Sequence, residues 1–79
     1  MVKQYKIETF TDVQVLHEQA KACIESVTVY DKSHSCANGK SILGLMTLSY
    51  VEPVSVECEL ESFFQRLPLQ EVAIDKKGE

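Results

Sequence analysis

The most reactive side chains here are two histidines, His17 and His34, and three cysteines, Cys23, Cys36 and Cys58. Imidazole nitrogen and thiolate sulfur ligate zinc, and a thiol beside an imidazole can become a nucleophile. His34 and Cys36 could form half of a metal site. A finger-type site needs a second pair at similarly short spacing, and Cys23, Cys58 and His17 could complete one only from distant points in the chain. Cys23 and Cys58 fall instead in register with apolar positions, where a free cysteine packs as a small apolar side chain. Packing is the preferred reading, with no metal ligands and no cofactor expected. A Cys–His nucleophile fails because no activating environment is visible. Ser41 follows Asn38-Gly39-Lys40 and opens the run Ile42-Leu43-Gly44-Leu45-Met46-Thr47-Leu48. As a helix N-cap its hydroxyl is worth about 1 kcal/mol.

These residues lie on a chain of 79 with room for one domain, 1–79, and one small core; such domains bury only about 60% of their unfolded surface. With 44% hydrophobic and 25% charged residues, the balance is that of a folded protein. The net charge of −4 disfavours nucleic acid and anionic membrane as direct partners, since both require a Lys/Arg surface. Arg66 is the only arginine, which argues against a phosphate clamp of guanidinium groups. Met1–Lys6 has no apolar core of signal-peptide length, and no stretch reaches the roughly 20 apolar residues of a membrane span. An odd number of cysteines without framework spacing points to reduced thiols and a cytoplasmic location.

Periodicity predicts the elements. Lys3–Ile7 alternates, with Tyr5 and Ile7 on one face and polar Lys3 falling on the same face. Thr11 and Gln14 have the spacing of a capping box, and Phe10 and Val15 that of a hydrophobic staple. A helix from about Asp12 to Glu25 follows, with Val13, Leu16, Ala20, Cys23 and Ile24 on its apolar side. Val27–Tyr30 reads as a strand, Asp31–Ser33 as a turn, and His34–Ala37 as a short returning edge strand. Asn38-Gly39 breaks the chain, and Ser41 caps two helical turns over Ile42–Leu48. In those turns Leu45 and Leu48 face the core with Ile42 beside them, while Leu43 and Met46 project outward. Val54–Leu60 is a half-buried strand, and Ser62 caps a turn carrying Phe63, Phe64 and Leu67 that Pro68 stops or kinks. Leu69–Asp75 is open between a helix and an extended tail, and Lys76–Glu79 reads as a frayed end.

The run Lys-Ser-Ile-Leu-Gly-Leu-Met-Thr-Leu over residues 40–48 resembles the regulatory segment of HPr, the histidine-containing phosphocarrier of the bacterial sugar phosphotransferase system. The predicted element order is strand, helix, strand, strand, short helix, strand, helix, which is also the order of HPr. The resemblance therefore implies an α+β open-faced β-sandwich, HPr-like, with a four-stranded antiparallel sheet covered on one face by helices. It is specific across about residues 38–60 and only topological before them.

The family's carrier motif, Gly-x-His-x-Arg-Pro, has no counterpart here. The link between the first strand and first helix, Glu8-Thr9-Phe10-Thr11, holds no histidine, arginine or glycine. His17 is the nearby candidate phosphoacceptor, but it sits within the helix, beyond the donors of its N-terminus, and reads first as a histidine packed at the edge of the apolar face. What the resemblance does imply is regulation. In HPr-like proteins of many Gram-positive bacteria a dedicated kinase phosphorylates the serine matching Ser41, and the product binds a LacI-type transcription regulator. Lys40, Ile42, Leu43 and Met46 match the family's docking patch. The expected function is that of a non-enzymatic regulatory or adaptor protein, nearest in logic to catabolite-repression HPr. The alternatives are a phosphocarrier accepting phosphate from Enzyme I on His17, and a fold-only relative that self-associates through the edge strand near His34–Ala37.

Overall fold

A computed structural model describes residues 1–72. Five strands, β1 (Val2–Lys6), β2 (Val27–Tyr30), β3 (Cys36–Asn38), β4 (Val54–Cys58) and β5 (Gln70–Val72), form one antiparallel sheet in the order β3-β2-β4-β1-β5. Three helices, α1 (Phe10–Ala22), α2 (Ile42–Leu45) and α3 (Glu61–Arg66), are the other elements among the described residues. This is an α+β architecture with an open sheet, of five strands rather than the expected four.

Alternation explains which face is covered. Val27 and Val29 in β2 and Val54, Val56 and Cys58 in β4 are buried, whereas the residues between them are not. The register lines these residues up across the sheet: Val29 stands opposite Val56 and Ala37, Val56 opposite Lys3, and Tyr5 opposite Val54. Side chains paired in this way share a face, so one face supplies the core and the other meets solvent. Val13, Leu16 and Ala20 of α1, Leu45 of α2, and Phe63 and Phe64 of α3 close that core. Tyr5 stacks on Phe64 at 6.3 Å between ring centroids, and Phe63 meets Phe64 edge-on at 5.3 Å. Burial, with the charge of Glu71 adding, pushes the Tyr5 hydroxyl up to about 12. Lys3, polar on a core-facing position, is accommodated at the rim, with its ammonium 5.8 Å from the Phe64 centroid and 3.8 Å from the Glu71 carboxylate.

Several boundaries differ from the sequence reading, each for a local reason. Helix α1 starts two residues early because Thr9, not Thr11, is the N-cap. Thr9 Oγ1 accepts the Asp12 N–H at 3.2 Å, and the Asp12 carboxylate accepts the N–H groups of Thr9 and Glu8 at 3.2 and 2.9 Å. The short Asp side chain closes the capping box that had been assigned to Gln14. Phe10 then falls inside the first turn, 51% exposed, and makes no staple with Val15. The helix ends at Ala22, where Cys23 turns extended at φ −88°, ψ 136°, so Ile24 lies off the helix and is 87% exposed instead of packed.

Strand β3 begins at Cys36 rather than His34 because the preceding turn is longer than Asp31–Ser33. The Asp31 carboxylate accepts the N–H groups of both Ser33 and Ser35, and His34 between them takes the left-handed conformation at φ 72°. Helix α2 stops at Leu45 because Thr47 Oγ1 bonds back to the Gly44 carbonyl at 2.7 Å, closing the next turn differently. Strand β4 stops at Cys58, and α3 is capped from Leu60 without a side-chain bond, so Ser62 is an exposed first-turn residue and not the cap. Leu67, before Pro68, is extended at ψ 109° and ends α3. The chain then returns as β5, pairing Gln4 with Val72 and Lys6 with Gln70 along β1. Of the open Leu69–Asp75 segment, Gln70–Val72 is strand and supplies the fifth strand; the rest of it from residue 73, and the frayed end expected at Lys76–Glu79, lie outside the described residues.

The cap assignment is testable by urea unfolding. Thr9→Ala should lower stability by about 1 kcal/mol, whereas Thr11→Ala should change it by less than about 0.5 kcal/mol.

Candidate functional site

Residues 38–46 are held against α1 and β2 by a close approach at Gly39. This glycine is buried, and a Cβ built on it would come within 2.9 Å of Val27 Cγ1 and 3.1 Å of the Ala20 Cβ. Its N–H donates to the Val27 carbonyl at 2.7 Å, and His17 Nδ1 lies 3.1 Å from its own carbonyl. A carbonyl only accepts, so the neutral ring in this contact carries its proton on Nδ1 and leaves Nε2 with a lone pair. His17 is thus a half-buried histidine that ties α1 to the chain ahead of Ser41. The next residue adds a second tie, as Lys40 Nζ donates to the carbonyl of Cys23, the C-cap of α1, at 2.6 Å. A cation on the last carbonyls of a helix also opposes the negative end of its dipole.

Ser41 is exposed and caps α2, its Oγ accepting the Gly44 N–H at 3.1 Å. Beyond it Leu45 is fully buried and Leu48 is buried, and Ile42 packs on the core half-exposed. Leu43 and Met46 point away, 76% and 55% exposed. The five residues expected to act together, Lys40, Ser41, Ile42, Leu43 and Met46, fall within one seven-residue segment but are not equivalent. Lys40 and Ile42 carry structural contacts, whereas Ser41, Leu43 and Met46 face outward.

Met46 also reaches a feature that sequence reasoning missed. An open groove of about 470 Å³ runs between the start of α1 and the chain after α2, with Ile7, Phe10, Val13, Met46, Tyr50 and Val51 among its walls. Glu8 supplies its charged lip. The exposure of Phe10 signals this groove only once the helix start at Phe10 is known. Tyr50 is fixed there by its hydroxyl, which donates to the Leu45 carbonyl. Burial, followed by the nearby charge of Asp31, pushes that hydroxyl up to about 12.

Asp31, which the sequence marks only as a turn residue, anchors the chain leading out of α2. Its Oδ1 accepts from Ser33 and Ser35, and its Oδ2 accepts the Ser49 N–H, each at 2.9 Å. These bonds, that of Ser49 foremost, hold the carboxyl below its ordinary value despite burial, which acts the other way.

The remaining reactive residues are not brought together with Ser41. His34 and Cys36 are exposed in and after the β2–β3 turn, and among the described residues no group of three or more His, Cys, Asp or Glu side chains could hold a metal. Cys23 and Cys58 are buried with their sulfurs 3.8 Å apart. Among the described residues no helix is long and apolar enough to cross a membrane. No family model, no curated protein and no solved structure matches this chain.

Two outcomes follow from this geometry. Gly39→Ala should lower stability by about 1–3 kcal/mol in denaturant unfolding, because its methyl meets Val27 at a rigid crossing. For Asp31, the folded value lies below the unfolded one, so its contribution is complete above the ordinary carboxylate range near pH ~4 and drains away as pH falls through the folded value. Asp31→Asn should therefore unfold at lower temperature than wild type at pH 7, and the gap should narrow in acid.

Proposed function

We propose that this chain is an HPr-like regulatory or adaptor protein that docks partners through Leu43 and Met46, under the control of phosphorylation at Ser41. The observation that carries the reading is an exposed serine, Ser41, capping a short helix on which Leu43 is exposed and at whose C-cap Met46 is exposed. Leu45 takes the buried position on this short helix, and Leu43 and Met46 stay largely exposed. The element order of HPr supports it, as does the likeness of residues 40–48 to the family's regulatory segment. A phosphoryl group on Ser41 would add about −2 charge beside this patch and alter which partner surface fits it. Lys40 and Ile42 contribute by setting the segment's position. The partners this reading implies are an HPr kinase and a LacI-type regulator, in a cytoplasm, with no nucleic acid bound directly by this chain.

A second reading is phosphoryl transfer on His17 from Enzyme I. One observation favours it: the Gly39 carbonyl orients Nδ1 and leaves Nε2 as the available nucleophile. Against it, His17 lies eight residues past the Thr9 cap, away from the free N–H groups of the helix start, and Arg66 belongs to a different helix, α3.

Intact mass after two separate incubations distinguishes the readings. With a Gram-positive HPr kinase and ATP the chain should gain one phosphate, and Ser41→Ala should abolish the gain. A gain only with Enzyme I and phosphoenolpyruvate, lost in His17→Ala, would replace the regulatory reading with the carrier. No gain in either would refute both. Leu43→Ser with Met46→Ser should abolish capture of the LacI-type regulator by the phosphorylated protein, with less than about 1 kcal/mol lost in stability, since exposed positions contribute little to the core.

A further inference from the structure

The Cys23–Cys58 thiol pair lies apart from the proposed docking residues, and its geometry is specific. Cys23 is the C-cap of α1 and Cys58 the last residue of β4, 35 positions apart in sequence, yet their sulfurs lie in contact at 3.8 Å. Each is almost wholly buried, 3% and 2% exposed. Both backbones are anchored: the Cys23 N–H donates to the Ala20 carbonyl, and Cys58 pairs with Val27 in the sheet while its N–H donates to the Met1 carbonyl. The thiols are therefore held in register by the fold.

We propose that Cys23 and Cys58 are an oxidative modification site, forming an intramolecular disulfide with a hydroperoxide or a small-molecule disulfide as the two-electron oxidant. Closing the gap from 3.8 Å to a bond of about 2.05 Å requires side-chain rotation and a small backbone adjustment. With hydrogen peroxide, one thiolate attacks an oxygen, the O–O bond breaks, and a sulfenic acid forms with release of hydroxide. The second thiolate then attacks that sulfur and expels the oxygen as a second hydroxide. The two thiol protons convert both hydroxides to water. Two thiols are oxidised to one disulfide and one peroxide is reduced to two waters.

Access comes from the helix end. The link after Cys23 is exposed at Ile24, Glu25 and Ser26, and an opening of the last turn of α1, with release of the Lys40 contact to the Cys23 carbonyl, would uncover the pair without global unfolding. Burial pushes the Cys58 thiol up, so the closed state holds little of its thiolate and the reaction proceeds from the opened one. The bridge would join the end of α1 to the end of β4. It would also fix the Cys23 carbonyl that receives Lys40, tying the chain ahead of Ser41 to the redox state of the pair.

The test uses the full chain carrying Cys36→Ser, which removes the exposed thiol and with it bridging between molecules. After hydrogen peroxide, or separately oxidised glutathione, under native conditions, the mass should fall by about 2 Da. Non-reducing digestion should yield one Cys23–Cys58 linked peptide, and the thermal midpoint should rise by several degrees and return on reduction. The unsubstituted chain should give the same linked peptide. The proposal is overturned if both thiols remain open to alkylation after denaturation. It is equally overturned if oxygen adds to one sulfur without linkage, or if the link forms only in urea.

Discussion

The crossing at Gly39 is the constraint on which the arrangement of this protein depends. A chain leaving the sheet edge must pass beneath α1 closely enough to set Leu45 into the core, and only a residue without a side chain fits between Val27 and Ala20. The crossing is secured by polar contacts on both sides: the sheet accepts the Gly39 N–H through Val27, and α1 reaches the Gly39 carbonyl through His17. Lys40 then takes the carbonyl at the C-cap of the same helix. One buried glycine thus brings the end of α1, the edge of the sheet and the start of α2 to a single point, and Ser41 emerges at the surface from it.

The other end of the same segment is held electrostatically. Asp31 gathers three backbone N–H groups, two from its own turn and one from Ser49, so the β2–β3 turn and the exit from α2 share one carboxylate. The carboxylate itself is the buried partner: Asp31 is 8% exposed, and three backbone donors satisfy its two oxygens. Among the described residues no buried side-chain nitrogen or oxygen lacks a hydrogen-bond partner. Residues 39–49 are consequently held between two anchors, with Leu45 and Leu48 in the core, Ile42 at its margin, and Leu43 and Met46 in solvent.

That division gives the surface its character. Leu45 and Leu48 satisfy the hydrophobic demand beneath, and Leu43 and Met46 remain outside because four residues of helix cannot turn every apolar side chain inward. Met46 connects this patch to the groove at the start of α1, so the exposed apolar surface extends past Tyr50 and Val51 towards Phe10. Scattered exposed apolar residues are ordinary on small proteins, whereas contiguous ones mark contact surfaces. The docking reading rests on the exposure of Leu43 and Met46 after Ser41, with Met46 also lining the groove.

Local chemistry made much of the fold legible in advance. Alternation set β2 and β4 and their inward residues, helical spacing set the body of α1, Pro68 ended α3, and Ser41 before an apolar run set the cap of α2 with Leu43 and Met46 outward. These depend on interactions within a few residues, which sequence spacing reports directly. What stayed hidden was set by residues far apart in the chain. The cap at Thr9 is the local exception, a choice between two threonines two residues apart, whereas β5 formed because β1 offered a free edge once Pro68 had redirected the chain. The roles of Asp31 toward Ser49, of His17 toward Gly39, and of Cys23 toward Cys58 span 18, 22 and 35 positions. Periodicity carries no information at those separations. Only the packed sheet and helices place these groups within bonding reach, because burial of the shared core fixes where the distant partner must lie.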